Sequence, residues 1–229
     1  MFTATMGFLV LAIVVLFILV IRERRMQNEA WAELAHRLGL YYDPPTLMSQ
    51  RRRLEGTYKG KTVRVDVRIE GTGKSQQLFT RYRRELDERW TKQVRIRSFE
   101  KGLFKGKPKG YTTGHTGFDE SFEVVGRVGR EVEAVLSDAE VQRELRRLSE
   151  RFTDCGVRKG ALWVEHLRVS HEPLRMKRNL DRMMNLDLAI EEALDRFHNV
   201  DVGGWGDDEE LFPVLDPVQQ EQESTGVAW

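Results

Sequence analysis

The sequence predicts an α+β fold in which an N-terminal transmembrane helix precedes an antiparallel sheet packed with two amphipathic helices. Three observations support this prediction. The first 21 residues contain no charged side chain. From Val63 to Ile69, apolar and charged side chains alternate, which is the period of a half-buried strand. Two later segments, 137–152 and 173–197, carry apolar side chains at helical spacing.

The predicted membrane segment is an almost unbroken run of Leu, Val, Ile and Phe from Phe8 to Ile21. A helix over residues 1–21 would be about 30 Å long, the thickness of a bilayer core. A cleavable signal peptide needs bases before the apolar run and small residues after it, and both are missing here. We therefore expect an uncleaved single-pass anchor. The arginines of residues 22–25 place the body on the cytoplasmic side of the cell inner membrane and the N-terminus outside.

Charge divides the rest of the chain into a basic body and an acidic tail. The protein has 37 Lys and Arg against 36 Asp and Glu. Eight of these acids lie from Asp201 onward, where there is no base. We predict three regions: an anchor and basic flank at 1–25, a cytoplasmic α+β domain at 26–200 and a disordered acidic tail at 201–229. A single cysteine, Cys155, excludes an intramolecular disulfide.

The first part of the body reads as a helix followed by strands. Residues 26–39 have one apolar face and end at Gly39, and this helix could continue the membrane helix. Strands at 63–69, 77–83 and 90–99, separated by turns, predict an antiparallel meander.

The second part reads as helix, hairpin and helix. Ser137 and Glu140 form a capping-box pattern at the start of the first of these helices. Residues 157–169 predict a hairpin that turns at Lys159 and Gly160, and Pro173 begins the last helix. Asp187 takes one step of that helix's apolar repeat, so we expect this face to be half exposed.

An ordered series of short motifs resembles a group of uncharacterised single-pass bacterial membrane proteins with an N-terminal anchor. The series contains a helix ending Leu38-Gly39-Leu40, the turn GTYKG at 56–60 and GFDESFEV at 117–124, which includes a Phe-Asp-x-x-Phe-x-Val motif. The resemblance covers about residues 8–170. It implies an anchored cytoplasmic α+β domain and supplies no catalytic residues.

Three patterns could carry chemistry, and each has a structural alternative. His115, Asp119 and Glu120 could form an acid–base pair or part of a metal site. The alternative, which we favour, is that Asp119 bonds its own turn while Phe118 and Phe122 anchor the loop. The Gly-Lys-Ser at 73–75 lacks the earlier glycine of a phosphate-binding loop, so we read it as a hairpin tip. Cys155, with Arg158 and Lys159 nearby, is interpreted as a small buried residue.

The basic surface is the strongest non-structural signal, because residues 51–110 contain 19 bases and seven acids. Its candidate contact residues are Arg51, Arg52, Arg53, Arg81, Arg83, Arg84, Lys105, Lys107 and Lys109. Such a surface can bind anionic lipid or an acidic protein partner. Nucleic acid, with Tyr82 and Trp90 stacking on bases, is a weaker alternative. A solvated sheet face that resists aggregation is the other interpretation.

Together these patterns predict a non-catalytic, membrane-anchored binding or scaffold domain without a cofactor or metal. Its predicted partners are the bilayer, through residues 1–21, and an anionic lipid or acidic protein. Two alternatives remain, a regulatory subunit of a membrane complex and a hydrolase-type enzyme that uses His115 and Asp119. The acidic tail could also fold back on the basic region and compete with its ligand, less strongly in high salt.

Overall fold

The structure, a computed structural model, describes residues 2–46, 51–86, 89–98 and 110–203. They form five α-helices and eight β-strands, with short 3₁₀ helices at 73–75 and 89–92. The helices are α1 (Phe2–Leu38), α2 (Thr116–Asp119), α3 (Arg130–Ser137), α4 (Ala139–Ser149) and α5 (Pro173–Gly203). The strands are β1 (Tyr41–Asp43), β2 (Arg53–Tyr58), β3 (Lys61–Glu70), β4 (Gln77–Glu85), β5 (Val94–Ser98), β6 (Phe122–Gly126), β7 (Asp154–Arg158) and β8 (Ala161–Leu167).

All eight strands belong to one sheet, in the order β1-β2-β3-β4-β8-β7-β5-β6. Every pairing of neighbouring strands is antiparallel, so the predicted α+β class with an antiparallel sheet is confirmed. Of the predicted meander, only the pairing of β3 with β4 is observed. After β4 the neighbouring strand is β8, while β5 pairs with β6 and β7. The hairpin β7–β8, which turns at Lys159 and Gly160, is as predicted.

The hydrophobic core lies between the sheet and the helices. On β3, Val63, Val65 and Val67 point into it, and Tyr82 of β4 and Val164 of β8 continue the same row across the sheet. Helices α3, α4, α5 and the C-terminal half of α1 cover this face. The sheet therefore has a covered face and an open face, which alternate residue by residue along each strand.

Helix α1 contains both the predicted anchor and the predicted helix 26–39. Its C-terminal half packs through Trp31 and Leu34, and the indole of Trp31 donates a hydrogen bond to the carbonyl of Ser170, 2.9 Å away. Gly39, in the left-handed region at φ +66°, follows its last turn, as predicted.

The prediction of a transmembrane helix is contradicted. Over the residues that the structure describes, no helix has an apolar stretch long enough to cross a membrane. In the sequence, the unbroken apolar run from Phe8 to Ile21 corresponds to about 21 Å of helix, against about 30 Å of hydrocarbon, and the charged residues 22–25 follow directly. The large apolar side chains of this run that the structure describes are exposed. The cellular location stays a prediction.

Two further predictions need correction. The side chain of Asp187 is 1% exposed, not half exposed, and it packs against the sheet beside Arg84. The cap of α4 is Asp138 rather than Ser137, because the Asp138 carboxylate accepts hydrogen bonds from the backbone N–H groups of Glu140 and Val141. Ser137 instead ends α3, a helix that the sequence reading missed.

Candidate functional site

The open face of the sheet carries a lattice of ion pairs. Its described strands contribute eight arginines: Arg53, Arg64, Arg68, Arg81, Arg83, Arg95, Arg97 and Arg158. They also contribute eight carboxylates: Asp43, Glu55, Asp66, Glu70, Glu85, Glu123, Asp154 and Glu165. Arg81 donates a hydrogen bond to each carboxylate oxygen of Asp66 at 2.9 Å, and Arg68 donates to Glu165 at 2.6 Å. The open face as a whole is therefore close to neutral.

The structure divides the predicted contact residues among different environments. Arg53, Arg81 and Arg83 lie on the open face. Arg52 is buried and donates to the Asn28 side chain of α1 at 2.8 Å. Arg84 is buried on the covered face, against Asp187.

The other predicted contacts lie elsewhere. Arg51 lines a depression of about 480 Å³ at the β2–β3 edge of the sheet. Lys105, Lys107 and Lys109, the side chain of Trp90 and the tail from residue 204 lie outside the described part of the chain.

Positive charge is concentrated in one cleft of the open face, with a volume of about 500 Å³. Strands β3, β4, β5, β7 and β8 form it. Seven bases line it: Arg68, Arg81, Arg83, Arg95, Arg97, Arg158 and Lys159. Only three carboxylates do so, those of Glu70, Asp154 and Glu165. The lining therefore has a formal charge of +4, although the carboxylates that pair with Arg81, Arg83 and Arg97 lie just outside it. We call it the cationic cleft.

Three of these bases have no counterion in the part of the chain that the structure describes. Arg68, Arg81, Arg83 and Arg97 each pair with a carboxylate on the same face. Within the described residues, by contrast, Arg95, Arg158 and Lys159 form no ion pair, and all three side chains are exposed. Lys159 sits in the β7–β8 turn with φ +53°. Free, solvated bases beside paired ones leave this end of the cleft able to take an anion.

The floor of the cationic cleft is the indole of Trp163, which is only 9% exposed. Trp163 lies opposite Arg83 on β4 and opposite Gly156 on β7, and Arg97 of β5 is the next residue beyond Gly156. The backbone of Gly156 packs closely against β5. A Cβ there would lie 1.9 Å from the carbonyl oxygen of Ile96, so this position requires glycine.

Three buried donors of the cleft lining have no acceptor among the described residues. They are the indole N–H of Trp163 and the Nε–H groups of Arg68 and Arg83. Buried N–H groups are almost always hydrogen-bonded in native proteins, so such groups point to a ligand or solvent. Sequence reasoning missed Trp163, although its alternation with Leu162 and Val164 marks it as a residue of the opposite face.

Two carboxylates of the cationic cleft, Asp154 and Glu165, contact neighbouring side chains. Burial raises the pKa of Asp154, and the facing Glu165 acts in the same direction, while the Ser98 hydroxyl donates to Asp154 at 3.0 Å and opposes the shift. Glu165 is held by Arg68. Protonation of Asp154 would remove one negative charge and make the cleft more favourable for an anion.

The loop that contains His115, Asp119 and Glu120 was the other candidate site. The Asp119 carboxylate accepts three hydrogen bonds from its own loop, from the backbone and hydroxyl of Thr113 and from the backbone of Gly114, at 2.9–3.0 Å. Phe118 and Phe122 are buried and stacked 4.9 Å apart, as the structural reading predicted. His115 is exposed and precedes the single turn of α2. Among the described side chains, no group of three or more acids, histidines or cysteines could hold a metal ion.

Cys155 is buried on the covered face, in agreement with the predicted structural role. Burial raises its thiol pKa to about 12, and the neighbouring Asp154 carboxylate adds to this shift. The thiolate is therefore strongly disfavoured at neutral pH, which argues against a nucleophile.

A second, larger cleft of about 830 Å³ lies between α1 and the segment that joins β8 to α5. Its charged lining is balanced, with Arg168 and Arg175 against Glu23 and Glu172. Burial and the nearby Arg175 lower the pKa of His166, so this imidazole favours its neutral form. The cationic cleft is the better candidate because its net charge selects a ligand.

Comparisons with known proteins identify no relative: no family model matches the chain, and neither the curated proteins nor the solved structures contain a significant match. The resemblance to single-pass bacterial membrane proteins stays a prediction.

Proposed function

We propose that this protein is a binding domain that recognises an acidic protein partner through the cationic cleft. The observation that supports the proposal is a group of three bases, Arg95, Arg158 and Lys159, that have no counterion among the described residues. They lie at one end of a recess whose lining has a formal charge of +4. The four other arginines of the cleft each pair with a carboxylate of the same face. The free bases are therefore available to an incoming carboxylate or phosphate without breaking an existing contact.

The surroundings of the cleft favour a protein over a membrane or a nucleic acid. A flat anionic membrane would meet the carboxylates of the open face together with its arginines, and so would a long polyanion. A protruding acidic side chain can instead enter the recess alone. Binding of single-stranded nucleic acid relies on aromatic side chains that stack on bases. Of the two residues predicted to stack, Tyr82 is the one whose side chain the structure describes, and it is buried on the covered face.

The test compares two double variants of the full chain. Arg95→Ala/Arg158→Ala removes two free bases of the cleft, and Arg130→Ala/Arg146→Ala removes two exposed arginines from α3 and α4 on the other side of the sheet. Both variants change the net charge equally. Binding of a fluorescein-labelled oligoglutamate is measured by anisotropy at low salt. We expect the cleft variant to bind about tenfold more weakly and the control within about twofold of the original.

Equal losses in the two variants would attribute binding to net charge alone and overturn the proposal. So would binding that occurs only to anionic vesicles and not to the peptide, since the partner would then be lipid.

A further inference from the structure

The floor of the cationic cleft offers hydrogen-bond donors and lacks matching acceptors. The indole N–H of Trp163 and the Nε–H of Arg83 are buried without partners in the described part of the chain. Neither side chain can accept a hydrogen bond. Whatever satisfies them must present acceptor atoms, and the surrounding charge requires those atoms to be negative. The floor is thus built to receive an oxyanion.

The arrangement of donors fits a group with several oxygens. Arg83 lies on one side of the indole, and on the other side Gly156 separates it from Arg97 of β5. Arg95 and Arg158, which have no counterion among the described residues, line the same recess. A carboxylate presents two oxygens and one charge. A phosphate monoester presents three terminal oxygens and a charge near −2 at neutral pH, which uses more donors and better offsets the three bases that have no counterion among the described residues.

We propose that the floor of the cationic cleft, at Trp163 and Arg83, binds a phosphate monoester carried by a phosphorylated side chain of the acidic partner. This inference rests on the proposed function and specifies its ligand. In it, Arg95 and Arg158 supply charge at the rim, and Trp163 supplies a directed donor at the floor. The Trp163 N–H distinguishes a built site from general attraction to a basic surface.

The experiment reads the indole N–H directly. The full chain, labelled with ¹⁵N-tryptophan, is kept in a non-ionic detergent because the apolar side chains from Phe8 to Ile21 are exposed. Of five tryptophan signals, the one lost in Trp163→Phe is assigned to the cleft. Inorganic phosphate, added at constant ionic strength against chloride, should move this signal saturably. The Trp31 signal serves as the control and should stay, because its N–H is already bonded to Ser170.

Peptides then separate the inference from the proposed function. An acidic peptide with one phosphoserine should bind at least about tenfold more tightly than the same peptide with glutamate, and Trp163→Phe should remove most of this difference. Equal affinities, or a Trp163 signal that phosphate does not move, would overturn the inference and leave the proposed function standing if Arg95→Ala/Arg158→Ala still weakens both peptides. If the original protein binds neither peptide, both the inference and the proposed function are overturned. Phosphate shifts of equal size at all five tryptophan signals would indicate an adventitious ion only and also overturn the inference.

Discussion

At the scale of single residues, the contact between Arg84 and Asp187 is the most deeply buried ion pair of the described chain. Arg84 Nε donates to Asp187 Oδ2 at 3.1 Å, and the side chains are only 5% and 1% exposed. The other carboxylate oxygen, Oδ1, has no hydrogen-bond partner. Burial raises the pKa of Asp187, against the attraction of Arg84. Each charge is tolerated in the core because the other is present.

Breaking this pair should be strongly destabilising. We expect Asp187→Ala to lower the free energy of unfolding by about 3–5 kcal/mol, since it leaves Arg84 buried without its nearest counterion. The double variant Arg84→Met/Asp187→Leu, which removes both charges, should lose far less. Urea denaturation followed by circular dichroism measures both. Asp195→Ala, on the exposed side of the same helix, is the control and should change stability by less than about 0.5 kcal/mol. A loss below about 1 kcal/mol for Asp187→Ala would show that Arg84 finds water or another partner.

At the scale of secondary structure elements, the junction of α3 and α4 shows how one residue can end one helix and begin the next. Asp138 follows α3 in an extended conformation, and its Oδ1 accepts from the Glu140 and Val141 backbones at 3.0 and 3.1 Å. Its Oδ2 contacts Arg196 of α5 at 2.5 Å. Partial burial raises the pKa of Asp138, but the hydrogen bonds from Arg196 and from the backbone outweigh it and lower the pKa overall.

Three substitutions at this junction separate the capping role of Asp138 from its contact with Arg196 and test the predicted cap at Ser137. Asp138→Ala removes the cap and the contact with Arg196, and should cost about 0.5–2 kcal/mol of stability. Asp138→Asn keeps a good capping side chain and should cost less, because an exposed ion pair contributes little. Ser137→Ala should have almost no effect. Thermal denaturation of the three variants checks this order, and a larger loss for Ser137→Ala than for Asp138→Ala would restore the capping box that the sequence predicted.

At the scale of the whole molecule, the sheet separates two kinds of basic residue. The register turns Arg84 toward the helices and Arg83 toward the open face, although they are neighbours in the chain. A net charge counted over residues 51–110 therefore overstates the field at any one surface. The acidic residues from 204 onward are the remaining large charge of the molecule, and they could compete for the cationic cleft.

Competition by the tail predicts that its removal strengthens binding. Deletion of residues 204–229 leaves α5 intact and removes seven acids. At low salt, the truncated protein should bind oligoglutamate more tightly than the full chain. The difference should shrink near 0.5 M salt, where the Debye length falls to about 4 Å. Anisotropy titrations at two salt concentrations measure it. Identical affinities of the full chain and the truncated protein at low salt would contradict competition by the tail.

Local signals account for the elements that were predicted from the sequence. The alternation of β3, the turn at Lys159 and Gly160, and Pro173 at the start of α5 all act within a few residues. Strand β2 was missed because Gly56 interrupts its alternation, and α3 because its eight residues make only about two turns. For the candidate site, composition indicated a basic region but not which bases are free.

By itself, the sequence determined the class of the fold, an antiparallel sheet with helices on one side, because side-chain period and turn chemistry are local properties. Only the tertiary structure decided the pairing of β4 with β8, which joins residues about 80 positions apart. That pairing brings Arg83, Trp163 and Gly156 side by side and makes the cationic cleft. The tertiary structure also decided that Arg84 and Asp187 form an ion pair in the core. The length of α1's apolar stretch, judged over the described side chains, likewise corrected the anchor that composition predicted. Long-range contacts depend on how the whole core packs, and no short segment of sequence contains that information.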